Sequence, residues 1–485
     1  MRTPTSAGTR TEPRVWRPHT RCDSTPEVDI PRIAPWRVLP PLLAVLLGLW
    51  GLERGGSMWR DESVTWQVAH RPLGGIWRLL GEVDAVHGLY YLLMHGVFAA
   101  WDGGPWALRL PSVAATALAA AGVAAVAHRL AGERAALFAG LGYAVLPPVQ
   151  MYAQEGRSYA LVAAAVVWAT YLMLRERWTS YAVVLLLGSW LHEFAALALL
   201  AHAFAAWRSR GWRVAAGAVL ALLVPLAVVS ARQAQQQLGW LGRPSWQDWT
   251  AYGVLAVASV LLARGAERGL VRVALPLALL PPGLLMVVSL VHPWYVDRYV
   301  LYALAGFALL AGARLAGMRP AGVRPAGVRG WWPWLLVGVL LVPFGWWSVW
   351  LRTPDSRKDD ALAVAAVVRE RARPGDAVVF MPSRRREWLL SSPGVYGGLR
   401  DVALDRSPAA SHTLQGTELP ADAVRAALLA SPRVIALLDP EGQPLDPYPA
   451  EVAKREVLEG AFERCSVTGV RGARVAVYAR PGGCG

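Results

Sequence analysis

The sequence predicts an all-α polytopic membrane protein with a small extracytoplasmic α/β domain at its C-terminus. Of its 485 residues, 55% are hydrophobic and only 17% are charged, which excludes an ordinary soluble protein of this length. Apolar runs recur from about residue 36 to residue 351. Runs of about 20 residues are long enough to cross the ~30 Å hydrocarbon layer of a bilayer. Beyond residue 355 the apolar runs shrink to the length of β-strands.

Three regions follow from this pattern. Residues 1–35 are polar and rich in arginine, which is typical of a disordered cytoplasmic tail. Residues 36–351 form the multi-span domain, and residues 355–485 form the extracytoplasmic α/β domain. No short apolar segment with a small-residue cleavage site precedes the first apolar run, so we expect no removable signal peptide.

Eleven membrane spans are predicted, together with one apolar segment that does not cross. Counting the segment 87–101 as a span would reverse the orientation of everything after it, so we interpret it as a re-entrant or interfacial helix. Three of the predicted spans are short, and a single fused helix over 180–206 is the alternative for two of them. The predicted spans are 36–54, 105–127, 134–150, 158–174, 180–191, 194–206, 213–230, 251–263, 273–291, 299–316 and 331–351.

The distribution of charge sets the predicted orientation. The loops assigned to the cytoplasm contain 14 arginines and three acidic residues, which is the asymmetry expected of cytoplasmic loops. The N-terminus is then cytoplasmic and the C-terminal domain lies outside the cell membrane. The net charge of +15 is spread between the apolar runs, so it indicates membrane topology and not nucleic-acid binding. The cytoplasmic loops are 128–134, 175–179, 207–213, 264–272 and 314–329.

The first candidate site is an acidic pair after the first span. Asp61 and Glu62 lie in the first external loop, about residues 55–86. A carboxylate near the bilayer surface can act as a general base toward a hydroxyl or amine. Partial desolvation is expected to raise the pKa of Asp61 toward a useful range. The alternative is a solvated loop acid or a helix cap.

A second charged cluster follows another apolar run, at the mouth of the third and fourth spans. It contains Gln154, Glu155, Arg157 and Tyr159. The guanidinium fork of Arg157 suits a phosphate, because it can engage two oxygens at once. A local pairing of Glu155 with Arg157 in a loop is the alternative.

Polar side chains also begin the re-entrant segment. His87, Tyr90 and Tyr91 offer hydrogen bonds to a sugar or a phosphate. The alternative is an aromatic belt at the membrane interface.

Two further groups interrupt apolar sequence. His192 and Glu193 divide one apolar stretch, and ionisable residues within a membrane are functional candidates by default. Arg298 and Tyr299 follow the ninth span, where Arg298 is placed to hold a phosphate head group. A polar turn at His192-Glu193 and a local Asp297–Arg298 pair are the alternatives.

The C-terminal region carries strand and helix patterns but no glycine-rich phosphate loop and no metal-ligand spacing. Cys465 and Cys484 lie there, and an external compartment permits a disulfide between them. The predicted strands are Ala377–Phe380, Val434–Leu438 and Ala473–Tyr478, and the predicted helices are Asp359–Arg371 and Asp422–Ala430.

The order of these motifs along the chain resembles that of a known family of membrane enzymes. After the first span the chain reads Arg60-Asp61-Glu62, His87-Gly88-Leu89-Tyr90-Tyr91, Trp106-Ala107-Leu108-Arg109-Leu110-Pro111-Ser112, Tyr152-Ala153-Gln154-Glu155-Gly156-Arg157-Ser158-Tyr159 and Asp297-Arg298-Tyr299. This set resembles the GT-C fold glycosyltransferases, the group of protein O-mannosyltransferases and lipid A aminoarabinose transferases, whose bacterial members are often assigned to glycosyltransferase family 39. Many relatives carry His-Pro-Pro where this chain has His87-Gly88-Leu89, and its C-terminal domain is not the sugar-binding trefoil of eukaryotic O-mannosyltransferases.

The resemblance implies a polyprenyl-phosphate sugar donor and catalysis at the external membrane face. Asp61 then resembles the catalytic base, and Glu62 supports it or orients the acceptor. Glu155 binds the acceptor or positions the base. Arg157 and Arg298 hold the donor phosphate.

The sugar pocket is expected to be lined by His87 and Tyr90. We expect inverting transfer of a mannose-like sugar to an acceptor that is a glycan, a lipid or a protein. A monophosphate held by arginines requires no cofactor, and a divalent metal at His192-Glu193 stays open. The rival interpretations are a transporter or flippase, for which no internal repeat is visible, and a membrane scaffold without catalysis.

Overall fold

Helices make up most of the described chain before residue 372. The computed structural model describes Met1 and residues 34–238, 242–317 and 332–485. Most of the predicted tail, Cys22, most of the cytoplasmic loop 314–329 and the first residue of the last predicted span lie outside the described residues. The helices are α1 (Pro35–Leu49), α2 (Arg60–Ala69), α3 (Leu73–Glu82), α4 (Gly88–Ala100), α5 (Pro105–Val145), α6 (Pro147–Ala153), α7 (Tyr159–Leu174), α8 (Trp178–Leu191), α9 (Ala198–Ala206), α10 (Arg210–Leu238), α11 (Trp246–Ala263), α12 (Arg268–Val288), α13 (Ala303–Gly317), α14 (Trp332–Trp350) and α15 (Ala361–Arg371).

Short 3₁₀ turns connect several of these helices. They are found where the chain changes direction between longer elements. Their bounds are Arg54–Gly56, Ala85–His87, Glu193–Leu197, Asp297–Val300, Pro354–Ser356 and Ser383–Arg385.

The exposed surface of the helical bundle is apolar, as a lipid-facing surface must be. On α1, Val38, Leu39, Leu42 and Leu46 recur at helical spacing and are exposed. Backbone groups in a bilayer must be paired within the protein, and a helix pairs them along its own length. These features make the bundle a membrane-type fold.

Four helical segments in the described part of the chain are long and apolar enough to cross a membrane. Shorter apolar helices occur between them, including Ala85–Ala100, which contains the segment predicted as re-entrant. The count of eleven spans, the orientation and the re-entrant interpretation stay predictions. The four segments are Pro35–Gly56, Pro105–Val145, Arg210–Ala234 and Arg268–Val288.

The predicted spans 105–127 and 134–150 are joined in α5. The backbone of α5 leaves helical geometry at Gly132, with φ 84° and ψ −177°. A glycine suits this position because side chains rarely adopt positive φ. The break falls in the arginine-containing turn that the sequence placed between the two spans. The helix that follows, α6, begins at Pro147, since proline favours the first position of a helix.

The fused helix over 180–206 does not form. His192 has extended backbone angles, φ −166° and ψ 120°, directly after the end of α8. A 3₁₀ turn, Glu193–Leu197, then leads into α9. The polar pair therefore marks a real interruption, and it places the His192 side chain at the end of a helix.

The C-terminal region is a five-stranded sheet covered by helices. Its strands lie side by side in the order Arg400–Asp401 (β2), Ala377–Met381 (β1), Arg433–Leu438 (β5), Ala473–Ala479 (β7) and Glu463–Val470 (β6). Strand β1 is parallel to β2 and β5, while β7 is antiparallel to both β5 and β6. The remaining elements are β1 (Ala377–Met381), α16 (Arg386–Leu390), α17 (Pro393–Tyr396), β2 (Arg400–Asp401), β3 (Leu404–Arg406), α18 (Pro408–Ser411), β4 (Thr417–Glu418), α19 (Ala421–Leu429), β5 (Arg433–Leu438), α20 (Pro449–Ala461), β6 (Glu463–Val470) and β7 (Ala473–Ala479).

Both faces of this sheet are buried. Along β1, Val378 and Phe380 pack with α15 and α16, while Ala377 and Val379 pack with α19 and α20. Alternate residues of a strand point to opposite faces, so a strand covered on both sides is apolar throughout. The three strands predicted from apolar runs are present, and a disulfide joins Cys465 to Cys484, with their Cα atoms 5.2 Å apart.

Close packing of α13 against α5 depends on Gly312. A Cβ atom at this position would lie 2.4 Å from the backbone nitrogen of Ala139. We expect Gly312→Ala to lower the stability of the purified protein by about 1–3 kcal/mol through overpacking. Gly142 in α5 is the matched control, because a Cβ atom there would meet nothing within 4 Å. Thermal unfolding in detergent should show Gly312→Ala melting below wild type and Gly142→Ala melting at or above it; equal melting temperatures would contradict the packing account.

Candidate active site

The site is built around the first turn of α2. This helix begins at Arg60, whose backbone N–H donates to Asp359 Oδ1 at 2.7 Å. Glu62 accepts a hydrogen bond from the backbone N–H of Trp59 at 3.4 Å. Carboxylates satisfy the free N–H groups at a helix N-terminus and interact favourably with its dipole. Asp61 and Glu62 therefore start a helix, and that helix fixes the directions of their side chains.

Glu62 lies in a fully buried cluster of charges. Its carboxylate receives two hydrogen bonds from Arg109, each 2.8 Å long. Arg54 forms an ion pair with the same carboxylate, and all three side chains are buried. Arg109 also donates to the backbone carbonyls of Leu52 and Ser57, both at 2.6 Å. The pairing lowers the pKa of Glu62 to about 2, although burial alone would raise it.

The same cluster holds the second charged loop in place. The backbone N–H of Gly156 donates to Glu62 Oε1 at 3.0 Å. Thr65 donates to the Gly156 carbonyl at 3.0 Å, and Ser112 donates to the Glu155 carbonyl at 2.6 Å. A side chain at Gly156 would collide with Leu108, since a Cβ atom there would lie 2.3 Å from its Cγ. The acidic first loop, the start of α5 and the loop before α7 thus form one unit.

A cavity of about 660 Å³ opens beside this unit. This volume lies within the range typical of small-molecule sites. Eight residues predicted from the sequence line it: Asp61, His87, Arg157, Tyr159, His192, Glu193, Arg298 and Tyr299. They come from α2, the loops around α4 and α7, the break after α8 and the turn before α13, so the fold brings distant motifs together.

Of the acidic pair Asp61 and Glu62, Asp61 is the carboxylate that reaches the cavity. Its side chain is 23% exposed, whereas that of Glu62 is not exposed at all. Arg298 Nη2 lies 3.8 Å from Asp61 Oδ2. Burial raises the pKa of Asp61, but the nearby Arg157, Arg298, Arg60 and Lys358 outweigh it, and the net pKa lies below the usual range. The expectation of a raised pKa is therefore wrong, because the cations around Asp61 stabilise its charged form.

Arg298 sits among aromatic rings. Its Nε donates to the Tyr159 hydroxyl at 3.1 Å. Its Cζ lies 5.7, 5.6 and 5.5 Å from the ring centroids of Trp59, Tyr159 and Tyr299. Such contacts hold a guanidinium in one orientation. Arg298 thus presents a fixed positive charge to the cavity next to Asp61.

Arg157 forms the second cationic contact. Its Nη2 lies 2.7 Å from Nε2 of His87, and its Nη1 donates to Thr65 at 3.3 Å. A guanidinium only donates, so Nε2 of His87 accepts and the imidazole is neutral with its proton on Nδ1. The ring of His192 lies 5.8 Å from that of His87 and 4.4 Å from that of Tyr299. Together these rings form an aromatic wall beside the two arginines.

Five predicted site residues do not line the cavity. Glu62 belongs to the buried ion cluster, so we assign it a structural role instead of a catalytic one. Glu155 is buried against Arg357, whose Nε lies 2.8 Å from its carboxylate, and burial raises the pKa of Glu155. Gln154 donates to the carbonyls of Gly48 and Trp50 at 3.0 and 2.7 Å. The side chains of these three residues contact other parts of the protein and do not line the cavity, a distinction that sequence cannot show because it does not give the direction of a polar side chain.

The other two predicted site residues that do not line the cavity are Tyr90 and Tyr91. Both are fully buried in helix packing. The Tyr91 hydroxyl donates to Asp84 Oδ2 at 2.7 Å. Asp84, which sequence analysis missed, lines the cavity, and burial raises its pKa. Tyr91 therefore contacts the cavity residue Asp84 by a hydrogen bond, and its ring lies 6.1 Å from that of His87, which also lines the cavity.

Sequence analysis also missed the wall that the C-terminal domain supplies. Arg60 of α2 donates through Nε to Glu387 Oε2 at 2.8 Å, and Ser63 donates to the Glu387 carbonyl at 2.7 Å. The cavity residues from this side are Lys358, Arg384, Glu387, Thr413, Leu414, Gln415 and Gln443. The one signal in the sequence is the charged run at 357–360, directly after the last apolar helix.

Within the described ranges, no group of three or more His, Cys, Asp or Glu side chains is arranged to hold a metal ion. Glu193 instead accepts a hydrogen bond from Ser230 at 3.1 Å.

Comparison with known proteins rests on structure. No family model matches the chain, and no curated protein matches it in sequence. The crystal structure of ArnT from Cupriavidus metallidurans in the apo state superposes with a TM-score of 0.56 and 13% identity, covering 91% of this chain and 97% of that chain. The form bound to undecaprenyl phosphate gives a TM-score of 0.50 and 14% identity, covering 92% and 98%.

The chain has the GT-C fold. ArnT, an aminoarabinose transferase, is a GT-C fold protein, and the likeness covers most of both chains. The resemblance that the sequence motifs indicated is confirmed at the level of the fold. The structural likeness also includes part of the C-terminal region, because the matched 91% of this chain is more than the part that precedes that region.

The buried ion cluster makes a testable contribution to stability. Replacing Glu62 by glutamine leaves Arg54 and Arg109 buried without their counter-charge, which typically costs about 3–5 kcal/mol. We expect a marked fall in melting temperature for Glu62→Gln at neutral pH. Glu53→Gln is the control, because Glu53 is an exposed carboxylate that accepts from Trp106 at 2.6 Å.

The pH dependence of this difference follows from the lowered pKa of Glu62. Stability from a carboxylate with a lowered pKa is present above its unfolded value, here 4.5, and is lost as the pH falls toward about 2. The gap in melting temperature between wild type and Glu62→Gln should therefore shrink below pH 4.5. A gap that stays constant down to pH 2 would contradict the assignment.

Proposed function

We propose that the protein is an integral membrane glycosyltransferase that uses a polyprenyl-phosphate sugar as donor. The observation that carries the proposal is the convergence of the Asp61 carboxylate with two arginines, Arg157 and Arg298, in a cavity of about 660 Å³ within a GT-C fold. The structural relative ArnT has been crystallised with undecaprenyl phosphate, which supports a lipid phosphate as the ligand.

The donor phosphate binds at the two arginines. Arg298 is oriented by three aromatic rings, and Arg157 is oriented by His87 and Thr65. Preorganised guanidinium groups stabilise the negative charge that grows on a leaving phosphate. The sugar, which we propose to be mannose-like, lies against the aromatic wall of His87, His192 and Tyr299.

The reaction is a single displacement with inversion at the anomeric carbon. Asp61 accepts the proton of an acceptor hydroxyl, and the hydroxyl oxygen forms the new bond to the anomeric carbon. The bond from that carbon to the phosphate oxygen breaks, and its electron pair leaves with the polyprenyl phosphate. All atoms and charges are then accounted for without a further reactant.

Donor binding also prepares the base. Arg157 and Arg298 hold the pKa of Asp61 low against the effect of burial, which keeps the carboxylate ionised but makes it a weak base. A phosphate at these arginines offsets their charge, so the pKa of Asp61 rises when the donor is bound. The carboxylate gains basicity at the moment when an acceptor needs it.

The proposed setting is the external face of the cell membrane, with the N-terminus in the cytoplasm. The exposed apolar helices and the GT-C fold support a membrane location. The acceptor bears a hydroxyl group and enters from the side of the C-terminal domain, which supplies polar cavity residues such as Gln415 and Gln443.

The direct test measures the transfer of radiolabelled sugar from a polyprenyl-phosphate sugar donor. It compares membranes that contain the wild-type protein with membranes that contain Asp61→Asn. Loss of a general base typically lowers the rate by about 10²–10⁴-fold, and we expect a fall of this size. Asp102→Asn is the control, since Asp102 is exposed and pairs with His70 at 3.3 Å, outside the cavity lining.

Equal transfer by Asp61→Asn and wild type would remove Asp61 as the base. Transfer by wild type from a different sugar of a lipid-linked panel would correct the mannose assignment alone. No transfer by wild type from any polyprenyl-phosphate sugar would contradict the proposed function.

A further inference from the structure

Lysine is rare in this chain, and its positions are informative. Of 49 Lys and Arg residues, only Lys358 and Lys454 are lysines. Lys454 is fully buried, and its ammonium donates to the Phe380 carbonyl, to Glu418 and to Glu451 at 2.8, 2.6 and 2.9 Å. Three bonds at these lengths use all three donors of an ammonium group. At Lys454 the lysine therefore meets a geometric requirement that a planar guanidinium does not.

Lys358 lies in the short segment that joins the last apolar helix to the C-terminal domain. Residues on both sides of it are anchored to the membrane bundle. Arg357 pairs with Glu155 and donates to the Met151 carbonyl at 3.0 Å. Asp359 accepts from the backbone of Arg60 at 2.7 Å.

The following residue adds a third anchor. Asp360 accepts from the backbone of Met58 at 3.2 Å and caps α15 by accepting from Leu362 and Ala363. The Ala361 N–H donates to the Met58 carbonyl at 2.6 Å. The backbone at Lys358 is thus held in one position relative to α2, and the side chain has a defined origin.

The side chain of Lys358 opens into the cavity. Lys358 is exposed, while Arg357 and Asp359 on either side are buried. It lines the cavity together with Asp61 and Arg298. Its Nζ lies 5.7 Å from the ring centroid of Trp59, and the Cζ atom of Arg298 lies 5.7 Å from the same centroid.

Two cations near one ring, with a third at Arg157, form a cavity wall that favours an anion. Like charges repel, and an anion bound among them relieves the repulsion. Acidic residues also line the cavity, namely Asp61, Asp84, Glu193 and Glu387, of which Glu387 pairs with Arg60. A phosphate has several acceptor oxygens and room for more than one cation. A compact ammonium with three rotatable donors can follow an oxygen as it moves, which a rigid guanidinium fork does less well.

We propose that Lys358 is a further substrate-binding residue, which donates to the phosphate of the lipid-linked donor alongside Arg157 and Arg298. This rests on the proposed function and adds a residue and a consequence to it. Lys358 belongs to the segment between the last apolar helix and the C-terminal domain, so this segment takes part in donor binding.

The test measures binding of undecaprenyl phosphate to the purified full-length protein in detergent by titration calorimetry. One charge-assisted hydrogen bond typically contributes about 1.5–3 kcal/mol, so Lys358→Met should bind roughly 10- to 100-fold more weakly than wild type. Lys358→Arg keeps the charge and should lose less than about tenfold. Arg425→Met removes an exposed cation paired with Glu456 and should bind like wild type.

Thermal unfolding shows whether Lys358→Met is folded. If it is not, a second neutral variant, Lys358→Gln, replaces it in the binding titration. Affinity equal to wild type in either folded neutral variant overturns the role of Lys358. A wild type that does not bind undecaprenyl phosphate overturns the donor assignment itself, which is a separate result because it appears before any variant is compared.

Discussion

A carboxylate enclosed by two guanidinium groups holds the site together. Glu62 lies between Arg54 and Arg109 with no exposure to solvent. Removing charges from water is costly unless they are paired and fully hydrogen-bonded. Here the pairing links the first loop, α5 and the loop at Gly156, so the position of every cavity residue on those segments depends on it.

Neighbouring carboxylates on α2 have different roles because successive residues of a helix point about 100° apart. Glu62 faces the bundle and is buried, while Asp61 faces the cavity and is partly exposed. The opposite side of the same helix binds the C-terminal domain through Ser63 and Gln67, whose hydrogen bonds reach Glu387 and Leu414. One short helix therefore joins the helical bundle, the cavity carboxylate Asp61 and the C-terminal domain.

The sequence predicted those features of the structure that depend on the local pattern of apolar and charged residues. Apolar runs located the helices, the charged motifs located Asp61, Arg157 and Arg298, and the composition change after residue 355 located the sheet. The family resemblance gave Asp61 and Glu62 different expected roles, but the sequence could not show that Glu62 is fully buried, because burial depends on which face of α2 is covered. It missed the wall from the C-terminal domain because that contact joins residues 299 positions apart, such as Arg60 and Asp359.

The central claim is that Arg157 and Arg298 bind a lipid phosphate beside Asp61. An experimental structure of the protein with undecaprenyl phosphate tests it most directly. The account predicts phosphate density within about 3 Å of both guanidinium groups, at the distances of charge-assisted hydrogen bonds, with the lipid chain leaving along the apolar helices. Phosphate density elsewhere on the protein, with the cavity at Asp61 unoccupied, would contradict it.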